Sequence, residues 1–304
     1  MTQLAQSSKP VVLPELPLEA WQNTYGTLHM WTQIIGKLRL ALSPLINHWW
    51  EVPLYVNARG LTTSAIPYED EIFEVQFDFI DHQLTIQTSG GSSKSMPLRA
   101  ESVADFYAKF MSALKSLGIE VKIWTMPVEV ANPIPFERDT QHASYDPEYA
   151  HRFWQILIFC DTVFKEFRSR FIGKDSPVHF FWGSFDLCVT RFSGRRAPER
   201  PGADPVTREA YSHEVISAGF WPGGGEIKGA AFYAYAAPQP AGFAQQSVQP
   251  SAAFYHPNLH EFLLMYDDVR KAASPREALL SFLQSTYEAG ANLAQWDRKE
   301  LERS

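Results

Sequence analysis

The chain has 304 residues and a net charge of −7, from 27 basic and 34 acidic side chains, and 45% of it is hydrophobic. That composition excludes a disordered chain, and the acidic balance argues against a broad attraction to nucleic acid or to an anionic membrane. An aromatic content of 14% predicts a large core, and the two cysteines, Cys160 and Cys188, form neither a CxxC nor a disulfide framework, so free thiols in a reducing cytoplasm are expected.

Residues 1–18 carry three prolines and no helical period, which predicts an extended tail on the surface. They lack the basic and apolar regions of a signal peptide, and no stretch of the chain approaches the ~20 apolar residues that cross a bilayer. From Leu18 to Leu45, Trp21, Leu28, Trp31, Ile35, Leu38 and Leu42 recur at helical spacings and predict one buried helix face. Strands are expected at Trp49–Val56, Glu71–Ile80 and Gln83–Thr88, the last two joined by a two-residue loop at Asp81-His82. A helix capped by Ser102 runs to Leu117 and stops at Gly118, a strand follows at Ile119–Met126, and residues 131–146 are a connection.

The second half starts at Pro147 with a helix to Phe171, whose Phe153, Ile156, Cys160, Phe164 and Phe167 share a face. One continuous strand is expected from His179 to Arg191, with further strands at Ala231–Tyr235 and Glu261–Met265 and a last helix at Pro275–Trp296. Runs of strands bracketed by helices, without regular βα alternation, predict an α+β fold. The halves, 19–130 and 147–304, share an outline of long helix, aromatic strand entered through a histidine, later strands and closing helix. An internal duplication gives that outline, and so does chance recurrence.

Thr27-Leu28-His29, Ile46-Asn47-His48-Trp49-Trp50, Phe77-Asp78-Phe79-Ile80-Asp81-His82, the run Ser176–Leu187, Arg191-Phe192-Ser193-Gly194-Arg195 and Tyr211-Ser212-His213-Glu214 carry a family resemblance. With these segments, spread from Trp21 to Leu301, the chain resembles an uncharacterised bacterial family, the domain of unknown function 5996 family. The resemblance implies no activity, cofactor or catalytic residue.

On a continuous strand, Phe180, Trp182, Ser184, Asp186, Cys188 and Thr190 share one face, which is too polar for an ordinary core. Asp186 there is either part of a pocket wall or a buried carboxylate tied to partners. Arg191, Arg195, Arg196, Arg200 and Arg208 precede Tyr211-Ser212-His213-Glu214 in a proline-bearing loop. Such guanidinium groups clamp carboxylates or phosphates, and His213 suits proton transfer; a solvated surface loop is the bland reading. On the first helix, Tyr25, His29, Thr32, Gly36 and Arg39 form a stripe that walls a cavity or flanks a half-buried face.

No HxH, HExxH or Cys/His cluster is present, so no metal is expected, and a site from His29, His179 and His213 has no support in spacing. Trp221-Pro222-Gly223-Gly224-Gly225 lacks a phosphate-binding order, Gly183-Ser184-Phe185-Asp186 is no nucleophile elbow, and Cys188 among apolar neighbours suits an inert thiol. The expectation is a cytoplasmic enzyme with a polar cleft between the halves, acting on an anionic or aromatic small molecule and binding neither nucleic acid nor membrane. Catalytic candidates are His179, Asp186, His213 and Glu214, and ligand-binding candidates are His29, Trp182, Arg191 and Arg195. The alternative is a non-catalytic metabolite-binding or protein-interaction protein.

Overall fold

The helical spacing that starts at Trp21 folds as predicted in a computed structural model, which describes residues 12–303. Helix α1, Leu18–Leu42, buries Trp21, Leu28, Trp31, Ile35 and Leu38. Next comes a 3-10 turn at Asn47–Trp49, then the short strands β1, Tyr55–Val56, β2, Gly60–Thr62, and β3, Ile66–Tyr68. The predicted strand Trp49–Val56 is therefore mostly turn. His48 and Trp49 sit at φ 63° and 61°, outside any strand geometry, and only Tyr55 and Val56 pair with β2.

Strands β4, Glu71–Asp78, β5, Gln83–Thr88, and β6, Ser93–Pro97, complete a first antiparallel sheet ordered β1-β2-β4-β5-β6, with β3 pairing β4. Four residues rather than two link β4 to β5, with His82 at φ 50°. Helix α2, Val103–Ser116, starts where the Ser102 hydroxyl accepts the Asp105 N–H and ends before Gly118 at φ 79°. The expected strand Ile119–Met126 does not form. The chain there alternates buried Ile119 and Ile123 with more exposed neighbours, as extended backbone does, but no strand pairs with it.

Helix α3, Pro147–Ser169, opens the second half with Asp146 as its cap. The expected continuous strand from His179 is a hairpin: β7, His179–Phe181, a turn through Phe185 at φ 59°, and β8, Asp186–Arg196. The turn overturns the predicted faces. His179 lies opposite Cys188 and Phe181 opposite Asp186, so those four share a face, while Phe180 turns with Leu187 to the core.

After helix α4, Pro205–Ala210, the chain adds β9, His213–Trp221, β10, Ala231–Ala237, β11, Phe254–His256, and β12, Glu261–Met265. They form a second antiparallel sheet ordered β11-β12-β10-β9-β8-β7. Helices α5, Tyr266–Arg270, α6, Pro275–Leu293, and α7, Arg298–Leu301, close the chain. The architecture is α+β, with seven helices and two six-stranded sheets among the described residues.

Leu54 and Phe180 exchange both backbone hydrogen bonds at 2.9 Å, which joins the sheets edge to edge through β1 and β7. One apolar core runs through both halves, from Phe77 and Phe106 in the first to Phe153, Phe220 and Phe232 in the second. Residues 1–11 of the predicted tail lie outside the described residues, and the rest of it is not a loose surface strand. Leu13 and Leu16 are buried in the core, and the Pro14 carbonyl accepts the Tyr266 hydroxyl at 2.7 Å.

Candidate functional site

The second sheet packs Leu187, Ile216, Phe220, Phe232, Phe262 and Leu264 against the helices. Its register lines the opposite face with two rows, Thr190–Ser217–Tyr235 and Cys188–Gly219–Tyr233–Leu263, with Glu261 two residues before Leu263 on the same face of β12. Gly219 is required in the middle of that face, because a Cβ there would run into the Tyr233 ring and the Leu187 carbonyl. Tyr233 and Tyr235 stack with ring centres 6.1 Å apart.

At one end of the Tyr233 row lies Asp186, 7% exposed, accepting hydroxyl hydrogen bonds from Ser184 and Tyr233. Burial pushes its carboxyl up, and the two hydroxyls oppose that by stabilising the anion. Along the other row the chain between β8 and β9 folds over the sheet. Tyr211 from that excursion shares a 2.9 Å hydrogen bond with the Tyr235 hydroxyl, and the Arg200 guanidinium stacks on the Tyr211 ring at 4.3 Å. These groups, with Ala236, Ala237, Gln239, Leu259, His260 and Glu261, wall a cavity of about 440 Å³. Burial and the nearby Asp186 push the Glu261 carboxyl up to about 7, so it exchanges its proton near neutral pH.

The predicted candidates do not converge on this cavity. His179 and Asp186 lie on the face that carries it, but neither lines it. His179 is 1% exposed in a box of Trp50, Tyr55 and Phe181, with neither ring nitrogen hydrogen-bonded, and burial pulls it down to about 3. Arg191 is equally buried, sandwiched between Phe167 at 3.5 Å and Tyr287 at 4.4 Å, and donates to the Phe167 carbonyl at 2.5 Å. Arg195 and Glu214 hold each other at 2.7 Å. Arg195 also donates to the Ala294 carbonyl at 2.6 Å, capping the end of α6, so its guanidinium is spent on structure. Glu214 borders a smaller cavity of about 200 Å³ with Pro238 and Trp296.

The helix-α1 stripe is the seam against the β7–β8 turn. His29 Nε2 bonds the Gly183 carbonyl at 2.8 Å, and burial lowers its pKa to about 4. A Cβ on Gly36 would strike the Trp182 ring, and the Trp182 indole donates to the Val52 carbonyl at 2.8 Å. His213 stands apart, its ring 5.8 Å from that of His48. Among the described residues no group of three His, Cys, Asp or Glu side chains is placed to hold a metal, which includes the trio His29, His179 and His213.

The expected basic loop is mostly regular structure, with Arg191, Arg195 and Arg196 on β8 and Arg208 on α4; Arg200 and Tyr211 reach the cavity, whereas Arg191 and Arg195 do not. Tyr235 and Glu261 were missed. Their signal was available in Ala231-Phe232-Tyr233-Ala234-Tyr235, where tyrosines alternate with apolar residues and so share one face. Sequence reasoning also missed His48, whose Nδ1 donates to the Glu209 carbonyl at 3.1 Å while its Nε2 accepts from Lys174 at 2.7 Å, so that α4 docks onto the first half.

No curated protein and no solved structure matches the chain. Residues 13–303 match the model of a family of unknown function (DUF5996), and the chain belongs to that family.

Proposed function

We propose that the protein binds an anionic aromatic small molecule in the cavity on the second sheet and transfers a proton to or from it through Glu261. The observation that carries this reading is a cavity of about 440 Å³ combining Arg200, two hydroxyl-bearing rings and a carboxyl near 7. Arg200 suits a carboxylate or phosphate, Tyr211 and Tyr235 offer ring faces and hydroxyls, and a carboxyl poised near neutral pH is the group that acid–base catalysis needs. The expected cleft between the halves shifts accordingly to the second half alone.

A non-catalytic binder uses the same cavity, and kinetics separate the two readings. Aromatic carboxylates, beginning with 4-hydroxybenzoate, are titrated by calorimetry and then tested for turnover. Arg200→Ala and Tyr235→Phe are expected to weaken binding about tenfold. In an enzyme, Glu261→Gln removes turnover while leaving affinity within about threefold, whereas in a binder only affinity responds. Unchanged affinity in both Arg200→Ala and Tyr235→Phe removes the cavity from the argument.

We also read the halves as an internal duplication. Supporting it, each runs from a long helix through an antiparallel sheet to a closing helix, and the sheets abut at their edge strands, β1 and β7. Cys160 and Cys188 are free and buried, and among the described residues no helix is long and apolar enough to cross a membrane. With the net charge of −7 these support a bacterial cytoplasmic protein whose partner is a small molecule rather than nucleic acid or a membrane.

A further inference from the structure

Lys37, on α1, lies far from the tyrosine-lined cavity in role and is used by nothing described above. Its side chain is 2% exposed, yet its ammonium has no ion-pair partner among the described residues. Lysine is almost never buried to this degree without a carboxylate. What surrounds it is aromatic: Nζ stands 4.5 Å from the centre of the Trp124 ring, 5.8 Å from Trp182 and 5.9 Å from Phe136. Each wall is held independently. Trp182 is fixed by its indole hydrogen bond to Val52 and by Gly36 beneath its ring, and Phe136 is fully buried. Trp124 is different, 66% exposed on the irregular segment after α2, and forms the outer wall between the amine and water.

We propose that Lys37 is a nucleophilic amine that condenses with a carbonyl compound to form an imine, with the exposed Trp124 indole as the surface on which an aromatic aldehyde seats. Nitrogen attacks the carbonyl carbon, the N–C bond forms, and the carbonyl oxygen leaves as water with the two amine protons. Desolvation in an apolar box is the means by which a lysine is kept unprotonated for such chemistry. Burial brings Lys37 down to about 8, in line with the geometry.

The test is competitive reductive labelling of the intact protein with benzaldehyde and cyanoborohydride at pH 7.5, followed by peptide mass mapping. Lys37 is expected to gain a benzyl group at least about tenfold faster than Lys122, an exposed lysine on the same segment. Labelling of Lys37 no faster than Lys122 overturns the proposal. Trp124→Ala alters only an exposed side chain, and its readout is the ratio of benzaldehyde to propanal labelling at Lys37. That ratio is expected to fall by about threefold or more as the seat is lost. An unchanged ratio removes Trp124 from the site.

Discussion

The two sheets are both antiparallel and six-stranded, and they differ in the face they turn away from the helices. On the first sheet that face carries Thr62, Gln76, Thr85 and Ser95 in one cross-strand row, short polar groups that satisfy one another: Asn57 donates to Gln76 at 3.2 Å, and Thr85 shares a hydrogen bond with Ser95 at 3.4 Å. On the second sheet one row carries Thr190, Ser217 and Tyr235, with Glu261 on the same face, and the chain between β8 and β9 folds over it. Gln76, Thr85 and Ser95 on the first face keep contact with water, while the buried Thr62 and Asp78 are paired with Glu74 and Arg59. On the second face, rings and a covering loop take water away from Asp186 and the tyrosines, and burial pushes their pKa values up. Covering of a second sheet face, rather than the choice of any single residue, is what sets the proposed site apart from the first sheet.

If one core serves both halves, breaking either half breaks the whole. Phe77→Ala in the first sheet and Phe220→Ala in the second each empty a fully buried position, at a cost of about 3–5 kcal/mol. Both are expected to lower a single, shared unfolding transition in calorimetry. Two separable transitions, one moved by each variant, would show that the halves are independent and that the Leu54–Phe180 junction does not couple them.

The next largest effect lies at that junction. His179 titrates at about 3 in the folded chain against 6.5 unfolded, so between those values the unfolded chain binds the proton and the folded chain does not. Stability is therefore present above pH 6.5 and lost as pH falls, by about 3 kcal/mol at pH 4 for this residue alone. His29, held at about 4, adds to the same loss. His179→Phe puts a ring among Trp50, Tyr55 and Phe181 and gives up no hydrogen bond. It is expected to flatten the acid limb of urea denaturation measured from pH 7 to 4. An acid limb identical to that of the parent chain counts against a buried neutral histidine.

How much of this was legible beforehand follows from which forces act locally. Helices α1, α2, α3 and α6 were readable because their apolar spacing and start signals, the cap Ser102 and the first-turn Pro147 among them, are properties of a dozen consecutive residues. Strands β4, β5 and β12 were readable for the same reason, through alternation and turn residues. The segment Ile119–Met126 alternates just as well and has no partner strand, and a ladder is a long-range fact that no local pattern contains. The hairpin at His179–Arg191 was hidden because its turn, Trp182-Gly183-Ser184-Phe185, is as aromatic as a strand. Missing it moved His179 to the wrong face. Arg191 and Arg195 drew attention as loop arginines, but their carbonyl partners come from α3 and α6, distant in sequence.

The contrast between the two outer faces sharpens with a smaller change. Tyr233→Phe removes one hydroxyl and leaves the buried Asp186 carboxylate short of a donor, at about 1–3 kcal/mol. Thr85→Ala, at the matching depth of the first sheet, is expected to stay within about 0.5 kcal/mol. Equal losses by chemical denaturation would erase the distinction between a solvated face and an enclosed one.

The smallest effect is the one that belongs to the site. Glu261 stands at about 7 in the folded chain against 4.5 unfolded, so between those values the folded chain holds a proton that the unfolded chain has released. Its contribution is present at low pH and is lost as pH rises through 7, opposite in sign to that of the histidines. Solvent at the cavity mouth screens the carboxylate, so the change is about 1 kcal/mol rather than the full shift. In the parent chain the histidine losses on acidification outweigh it, and the summed curve still falls toward acid. Glu261→Gln removes the opposing contribution, so the variant is expected to lose stability more steeply between pH 7 and 4.5 than its parent, whereas His179→Phe loses less. A Glu261→Gln curve parallel to the parent's would place the carboxyl in water, and with it the cavity's claim to a proton-transferring group.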